Sequence, residues 1–595
     1  MKKSLWLVLI LILACVVLLP SCDEGSPAQT TASTTDSTTD STTSGDLNNG
    51  EEPQNASHVH LLGEWIIDSE ATCTEDGSRH QVCSVCNATV NTETIKSQGH
   101  TDGEWISDLE AGCTNEGLRH KACTVCGVKT KEESIPITHN YVNNVCGCGS
   151  IRPSEGLEYT AIGESYAVSG IGTCTDENLI IPDTYNGKPV TEISAQAFSN
   201  LAIKKVTVPK SVSKIGDQAF TYCYQLANVV FEQNGNLTTI GQNVFSGTAI
   251  VSITLPEGLK RIEAGAFNGC HNLEEISLPS TLRSIGKNAF RYSTKLNKVF
   301  IKDIAKWCGV TFEEGKYANP LYMAGNLYSS DGTLVTDLKI PEGVTAISSF
   351  AFYGVKSVNS ISFPTTLRNI YSNAFYECSV SNIYIDDLAS WCKVSAADKI
   401  GYSNKKLYLN KSEITSLTIP GQVTSVGKFT FAGFSSIASV TMSNSVTSIG
   451  EGAFSDCQNL ENFTFSNELT AISKGLFKGC TKLRTVDIPN KVTSIDASAF
   501  ANCTSLSEIV IPALVTRVGE SAFNGCTSLA EVFVSASVKH IGKNAFDGCT
   551  GLVQVDFECK EGWTCNQSTI YKYMLEGSQT VNTLKNHQYA AWERN

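Results

Sequence analysis

One phrase returns along the chain at a fixed interval. Residues 447–460 read TSIGEGAFSDCQNL, 493–506 read TSIDASAFANCTSL, and 540–552 read HIGKNAFDGCTGL. Its phenylalanine falls at 198, 220, 245, 267, 290, 352, 375, 431, 454, 477, 500, 523 and 546, the last six spaced by 23 residues. A period of this size marks a stack of coils, each too small to enclose its own apolar groups and burying them against its neighbours. In 483–506 the stretch TVDIP alternates, with Val486 and Ile488 to one side, Asp487 to the other and Pro489 as a stop. Val492, Ile495, Phe500, Cys503 and Leu506 line the return path. The predicted fold class is a repeat solenoid with one strand per coil, the strands forming a parallel sheet at about 4.8 Å per coil.

The cysteine three residues after the phenylalanine occurs at 223, 270, 378, 457, 480, 503, 526 and 549. Other coils hold Leu201, Thr248, Ser293, Val355 or Phe434 there. A site that accepts all of these is a packing slot, and a thiol suits a buried slot of that size. A continuous stack cannot pair its sulfurs uniformly, so these cysteines are expected reduced and buried, and a serine is expected to bring a hydroxyl into a dry slot.

The pattern IP…V.SIG..AF.GC..L resembles the BspA-like leucine-rich repeat family of bacterial surface proteins over roughly residues 157–595. YAVSGIGTCTDENLIIPDTYNGKPVTEI (166–193) resembles that family's leading segment, and 561–595 its closing cap. The resemblance implies a leucine-rich repeat solenoid outside the cytoplasm that adheres to a host or microbial surface protein or glycan. The alternatives are a structural envelope protein without a discrete ligand and a glycan-binding module.

At the other end, Lys2 and Lys3 precede an apolar run from Leu5 to Leu19, short for a membrane span and right for a signal-peptide core. LPSC at 19–22 resembles a bacterial lipobox, which implies cleavage before Cys22, acylation of that cysteine and a lipid-anchored surface protein. An ordinary signal peptide or an uncleaved anchor exports the chain equally. From Ser26 to Ser44, thirteen of nineteen residues are Ser or Thr, a solvated tether.

Two copies of a 40-residue unit follow, starting at His60 and His100, with a truncated third at His139. Cys73, Cys83, Cys86 and His100 form one set, and Cys113, Cys123, Cys126 and His139 a second. Three thiolates and an imidazole are a structural zinc set, with the C-x2-C knuckle presenting two ligands. Disulfides are the alternative in an exported chain, with Cys146 and Cys148 available to complete pairs. His80 and His120 recur and compete as fourth ligands, and Trp65 and Trp105 are expected to be the core of each unit.

The chain therefore divides into a signal peptide (1–21), a Ser/Thr-rich linker (22–57), cysteine/histidine repeats (58–149), an N-terminal solenoid cap (150–181), the leucine-rich repeat solenoid (182–556) and a C-terminal cap (557–595). Inserts lie near 302–337 and 386–416. They resemble each other (VFIKDIAKWCGV, IYIDDLASWCKV), with Asp303 and Asp387 as helix N-caps and Trp307 and Trp391 packing a short helix back on the coil as a buttress.

A net charge of −14 gives nucleic acid no basic surface to meet. No nucleophile is framed by a base and no glycine-rich phosphate loop follows a strand, so an enzyme is not expected. The outward residue of each strand defines the candidate binding face, mostly Ser and Thr. Phe300, Tyr384, Val510 and Phe533 are its candidate anchors, the first two either exposed or covered by their own inserts.

Overall fold

The computed structural model describes residues 59–142, 145–148, 151–401 and 404–594; the signal segment, Cys22 and the tether lie outside the described residues. Residues up to Leu109 together with Leu118–Ser134 form one compact unit, and Glu110–Gly117 with Ile135 onward form a second. No described helix is long and apolar enough to cross a membrane.

The two cysteine repeats are three-stranded antiparallel meanders, β1 (Leu62–Ser69), β2 (Gly77–Cys83) and β3 (Thr89–Ile95), then β4 (Asp102–Leu109), β5 (Gly117–Cys123) and β6 (Lys129–Ile135). Their registers match: Trp65 faces Gln81 as Trp105 faces Lys121. The tryptophans are not cores. Trp105 is 36% exposed, and the Arg79 and Arg119 guanidinium groups cover Trp65 and Trp105 at 4.5 Å. Each arginine is held in turn by Glu93 or Glu133. Among the described residues between 59 and 148 the buried ones are Cys73, Gly77, Cys83, Gly117, Cys123 and Cys146. A three-stranded sheet with no enclosed aliphatic side chain has almost no hydrophobic term to hold it.

The solenoid is as expected in kind and richer in detail. Its wide face carries the anticipated parallel strands, for example Lys205–Val208 beside Asn228–Phe231 and Glu508–Ile511 beside Glu531–Val534. A second parallel ladder, unanticipated, runs along another side through two-residue rungs such as Lys214–Ile215, Thr239–Ile240, Arg261–Ile262 and Ser284–Ile285. Each rung is the SI of the repeated phrase, one side chain out and the isoleucine in. On the remaining side the phenylalanines stack coil upon coil, with centroids 5.2–5.7 Å apart from Phe198 to Phe290 and 5.3 Å at Phe500–Phe523–Phe546. Two left-handed residues bracket each phenylalanine, as at Ser521 and Gly525 around Phe523, so the chain turns twice and drives the ring inward. The amide of Phe500 bonds the carbonyl of Ala522 at 2.7 Å, and that of Phe523 bonds Ala545 at 2.8 Å, a third line of contacts between coils.

The cysteine slot is buried but not purely apolar. The thiols of Cys223, Cys270, Cys378, Cys457, Cys480, Cys503, Cys526 and Cys549 each donate to the phenylalanine carbonyl one coil earlier, at 2.8–3.2 Å. Ser293, fully buried in the same slot, donates to Phe267 O at 2.8 Å. The expectation that a hydroxyl has no partner there is corrected: the slot supplies an acceptor. Burial pushes the Cys457 and Cys549 thiols up to about 12.

The inserts are not buttresses on a coil; each is a coil. In the first, a helix capped by Asp303 (Ile304–Trp307) leads to the rung Thr311–Phe312, a second helix (Pro320–Ala324) and the face strand Leu327–Ser329, which pairs with Lys298–Ile301. The second repeats this with Asp387, the helix Leu388–Cys392, the rung Ser395–Ala396 and the face strand Lys406–Leu409. Trp307 and Trp391 are fully enclosed in the common core.

Besides the breaks at the inserts, one stretch interrupts the ladders without an insert's help. The face strand Asn462–Thr464 and the residue after it send both Phe463 and Phe465 inward, where other coils place at most one phenylalanine, such as Phe363 or Phe557. Phe463 sits edge-on to Phe454 at 5.1 Å and to Phe477 at 4.7 Å, and the Phe454–Phe477 spacing widens to 6.4 Å. The extra ring volume holds the coils apart: the rungs Ser448–Ile449 and Ala471–Ile472 do not pair, and the expected strand at Val486–Ile488, although its side chains are buried, joins no ladder.

The ends of the second ladder are closed by antiparallel strands. Glu158–Ile162 folds over Ser165–Gly170 at the start, and Trp592–Arg594 covers His540–Ile541 at the finish, leaving no free edge there.

Candidate functional site

The face ladder aligns the outward residues in register: Thr254, Ser277, Phe300 and Tyr328; Lys339, Ser362, Tyr384 and Tyr408; Thr418, Thr441 and Thr464; Val510, Phe533 and Asp556. Phe300 and Tyr384 are not covered from above by their inserts. Each is half-buried against a tyrosine that the insert places on the next strand, Phe300 by Tyr328 at 5.2 Å and Tyr384 by Tyr408 at 4.8 Å. The tyrosines were missed because each insert was read as a buttress, although the LYS of 327–329 and KLYL of 406–409 carry a strand's alternation.

Val510 and Phe533 stand apart from these pairs. They are 62% and 41% exposed, adjacent in register, and covered by nothing within the described residues. Glu508 and Glu531 lie two residues away on the same outward side, and Asp556 follows Phe533 in register. Beside Val510, where the strand at 485–488 is unpaired, a depression of about 310 Å³ is lined by Thr485, Asp487, Asn490, Glu508 and Pro512. An apolar pair thus sits within an acidic rim next to a hollow.

On the turn side, exposed Tyr222, Tyr224 and Tyr292 line a cleft of about 320 Å³ with His271 and the backbone of Gly247 and Gly269. Tyr222 and Tyr292 occupy the left-handed position where Gly247, Gly269, Gly479, Gly525 and Gly548 stand on other coils. A bulky side chain at that φ is strained, although the position is left-handed on every coil, with Asn200, Glu377, Asp456 and Asn502 standing there on others. The other solenoid histidine, His540, pairs with Glu593 at 2.5 Å. Lys405 is fully enclosed under Phe434, and burial pushes its amine down to about 7, but no substrate reaches it.

The N-terminal cysteines gather in sets other than those read from the sequence. Cys73 lies in the loop before β2, and Cys83 and Cys86 at its far end. A seven-residue strand puts about 20 Å between the two ends, too far for one ion. The loop itself is fixed by Gly77, where a Cβ would stand 2.4 Å from Ala71 N. The groups the fold assembles are Cys73, His100, Cys123 and Cys126, then Cys113, His139, Cys146 and Cys148, with ligand atoms all within 4.8 Å of one another. His60, Cys83 and Cys86 form a third group. Cys73 Sγ is 3.7 Å from Cys123 Sγ, and His100 Nδ1 is 3.3 Å from Cys126 Sγ. Cys113 Sγ is 3.1 Å from Cys146 Sγ, and His139 Nδ1 is 3.4 Å from Cys148 Sγ. His80 and His120 are not ligands: their Nδ1 atoms bind Asp68 and Asp108 at 2.6 Å. Backbone amides of the knuckle hold the Cys123 thiol down to about 5 and the Cys146 thiol to about 6.

No curated protein matches the sequence. Among solved structures, a leucine rich cell surface protein from Faecalibacterium prausnitzii is similar at 20% identity, covering 72% of this chain and 97% of that one with a TM-score of 0.34. A leucine-rich repeat protein from Bacteroides ovatus aligns at 22% identity over 70% and 97% of the two chains, with a TM-score of 0.37. The pneumococcal vaccine antigen PcpA aligns at 18% identity over 74% and 96%, with a TM-score of 0.32. The sequence profile of the BspA type leucine rich repeat region matches in six copies at residues 191–316, 326–396, 402–530 and 477–589, more than half of the chain. The 23-residue period, the double ladder and the phenylalanine stack are therefore those of a member of the BspA type leucine-rich repeat family.

Proposed function

We propose that the protein is a bacterial surface lipoprotein, anchored through Cys22, whose solenoid binds a partner protein on the face around Phe533. The observation that carries this reading is the exposed Val510–Phe533 pair beside the hollow at Asp487, an apolar anchor site within a ring of carboxylates. Aromatic anchors at the centre of a polar rim are where binding energy concentrates. The chemistry fits a partner segment with an apolar side chain flanked by lysine or arginine. Adhesion to a host or microbial surface protein is the corresponding role.

A photo-crosslinker placed at position 533 on the full chain, with one at 441 on the same face as control, tests the assignment on surface extracts of candidate partner cells. The expected result is one discrete adduct at 533, absent at 441 and weakened by salt, because the rim charges are screened. Capture undiminished by Phe533→Ala overturns it. For the anchor, Cys22→Ser should move the protein from the membrane fraction into the medium.

A glycan-binding reading is favoured by one observation, the strained tyrosines of the Tyr222–Tyr292 cleft, whose rings offer flat faces to sugar rings. Loss of a glycan-array signal in Tyr224→Ala, with Phe533-dependent capture intact, would assign that role to the cleft.

A further inference from the structure

We propose that each four-ligand cysteine–histidine cluster holds a tetrahedral zinc-type ion that staples two consecutive repeats together, rather than an ion internal to one repeat. In each cluster the later repeat supplies its leading histidine and its two knuckle cysteines, and the preceding repeat supplies one loop cysteine. Cys73 thus reaches forward to His100, Cys123 and Cys126, and Cys113 reaches forward to His139, Cys146 and Cys148. The rule holds twice with different spacings, C-x2-C in one case and C-x-C in the other.

Four independent features point to a metal. Three thiolates and an imidazole are a closed structural zinc set. Two ligands each about 2.3 Å from a tetrahedral zinc stand about 3.8 Å apart; Cys73 and Cys123 stand at 3.7 Å, whereas Cys113 and Cys146, at 3.1 Å, are closer than that, so this feature bears on the first cluster. The amide of Val125 donates to the first knuckle sulfur, Cys123 Sγ, at 3.5 Å, a contact that favours thiolate over thiol, and Val85 does the same for Cys83 in the three-residue group. Finally, cysteines and glycines are the only buried residues of the described segment 59–148, so binding energy has to stand where a core is missing. A disulfide would join two sulfurs of a cluster and leave the third facing an imidazole with nothing between them.

The staple also explains the truncated third repeat. It lacks a strand meander and a loop cysteine, yet keeps its histidine and two cysteines, the parts a final staple requires. Its site includes Cys113 from the loop after β4, so the array ends in a metal-held clasp at the start of the chain that leads into the solenoid.

The test counts zinc per chain in full-length protein prepared under reducing conditions and reloaded with zinc alone. Cys73→Ser combined with Cys123→Ser should lose one ion, because both bind the same one. Cys113→Ser combined with Cys123→Ser should lose two. Self-contained repeats require the reverse counts, two and one, and that result overturns the staple. If one substitution collapses the segment, alkylation of the unsubstituted chain at half-loading decides. Cys73, Cys123 and Cys126 should then be protected to one common extent, and Cys113, Cys146 and Cys148 to another. Protection of Cys73 together with Cys83 and Cys86, no zinc-dependent protection at all, or recovery of a Cys73–Cys123 disulfide peptide from the native chain would each overturn the proposal.

Discussion

The cysteines of the N-terminal repeats and those of the solenoid share a residue type and little else. In the solenoid a thiol is one small part of a large apolar interior: Cys503 is buried in the same core as Phe500, Leu483 and Leu506, and donates one bond to the coil before it. Serine at 293 makes the same bond, and threonine at 248 fills the slot while donating to Phe245 O of its own coil. In the N-terminal repeats Cys73, Cys83, Cys123 and Cys146 are, with two glycines, all that the described segment buries. Redundancy across many equivalent coils makes a position tolerant; burial confined to so few side chains makes each one indispensable.

Removing metal with a chelator is expected to have the largest effect. Cys73, Cys83, Cys86, Cys113, Cys123, Cys126, Cys146 and Cys148 should become open to alkylation at pH 8, with loss of the meanders. The solenoid should keep its melting temperature and its cysteines should stay unreacted, since thiols at about 12 such as Cys457 remain protonated there. Simultaneous labelling of both groups would erase the contrast. Next, Phe523→Ala removes a ring from the middle of the stack and should cost about 3–5 kcal/mol in denaturant unfolding. Smaller again, Cys503→Ala leaves a cavity and strands the Phe477 carbonyl and should cost about 1–3 kcal/mol, whereas Cys503→Ser keeps the bond and should cost under about 1 kcal/mol. A serine as harmful as alanine would mean that the hydroxyl does not reach Phe477 O. Smallest, Phe533→Ala should shift stability by no more than about 0.5 kcal/mol. Any larger loss would place that ring within the packing of the coil rather than on a binding surface.

The coil and its period were legible because thirteen copies of one phrase repeat a phenylalanine whose neighbours vary. The second ladder was not, since a two-residue rung is too short to alternate. The inserts hid their coils for a related reason: they lack the phenylalanine of the repeated phrase, and bury Trp307 and Trp391 from a short helix at a different spacing. The ligand sets failed differently. Sequence repetition makes Cys73 and Cys113 equivalent but is silent on which copy each one meets. A clue was present in HNYVNNVCGCG, which has a histidine and two cysteines and needs a third from elsewhere. The Val510–Phe533 pair was readable directly, because strand alternation alone puts both residues outward. The acidic hollow beside it depended on Phe463 and Phe465, whose effect appears only once neighbouring coils are stacked.

That wedge has a mechanical consequence. In a stack, tension applied between the two ends is carried by the lines of hydrogen bonds that tie coil to coil, and most junctions have three. Around Phe463 the second ladder is open, and on the next coil the face strand is unbonded, while Gly452 N to Lys474 O and Phe454 N to Leu476 O still hold the turn side. The same ladder is open between Phe312 and Ala346 and between Ala396 and Ser425, so a pull along the stack meets three junctions held by two lines of bonds rather than three. Phe533 lies C-terminal to all three, so a load applied there and at the N-terminal end of the solenoid is carried across each of them.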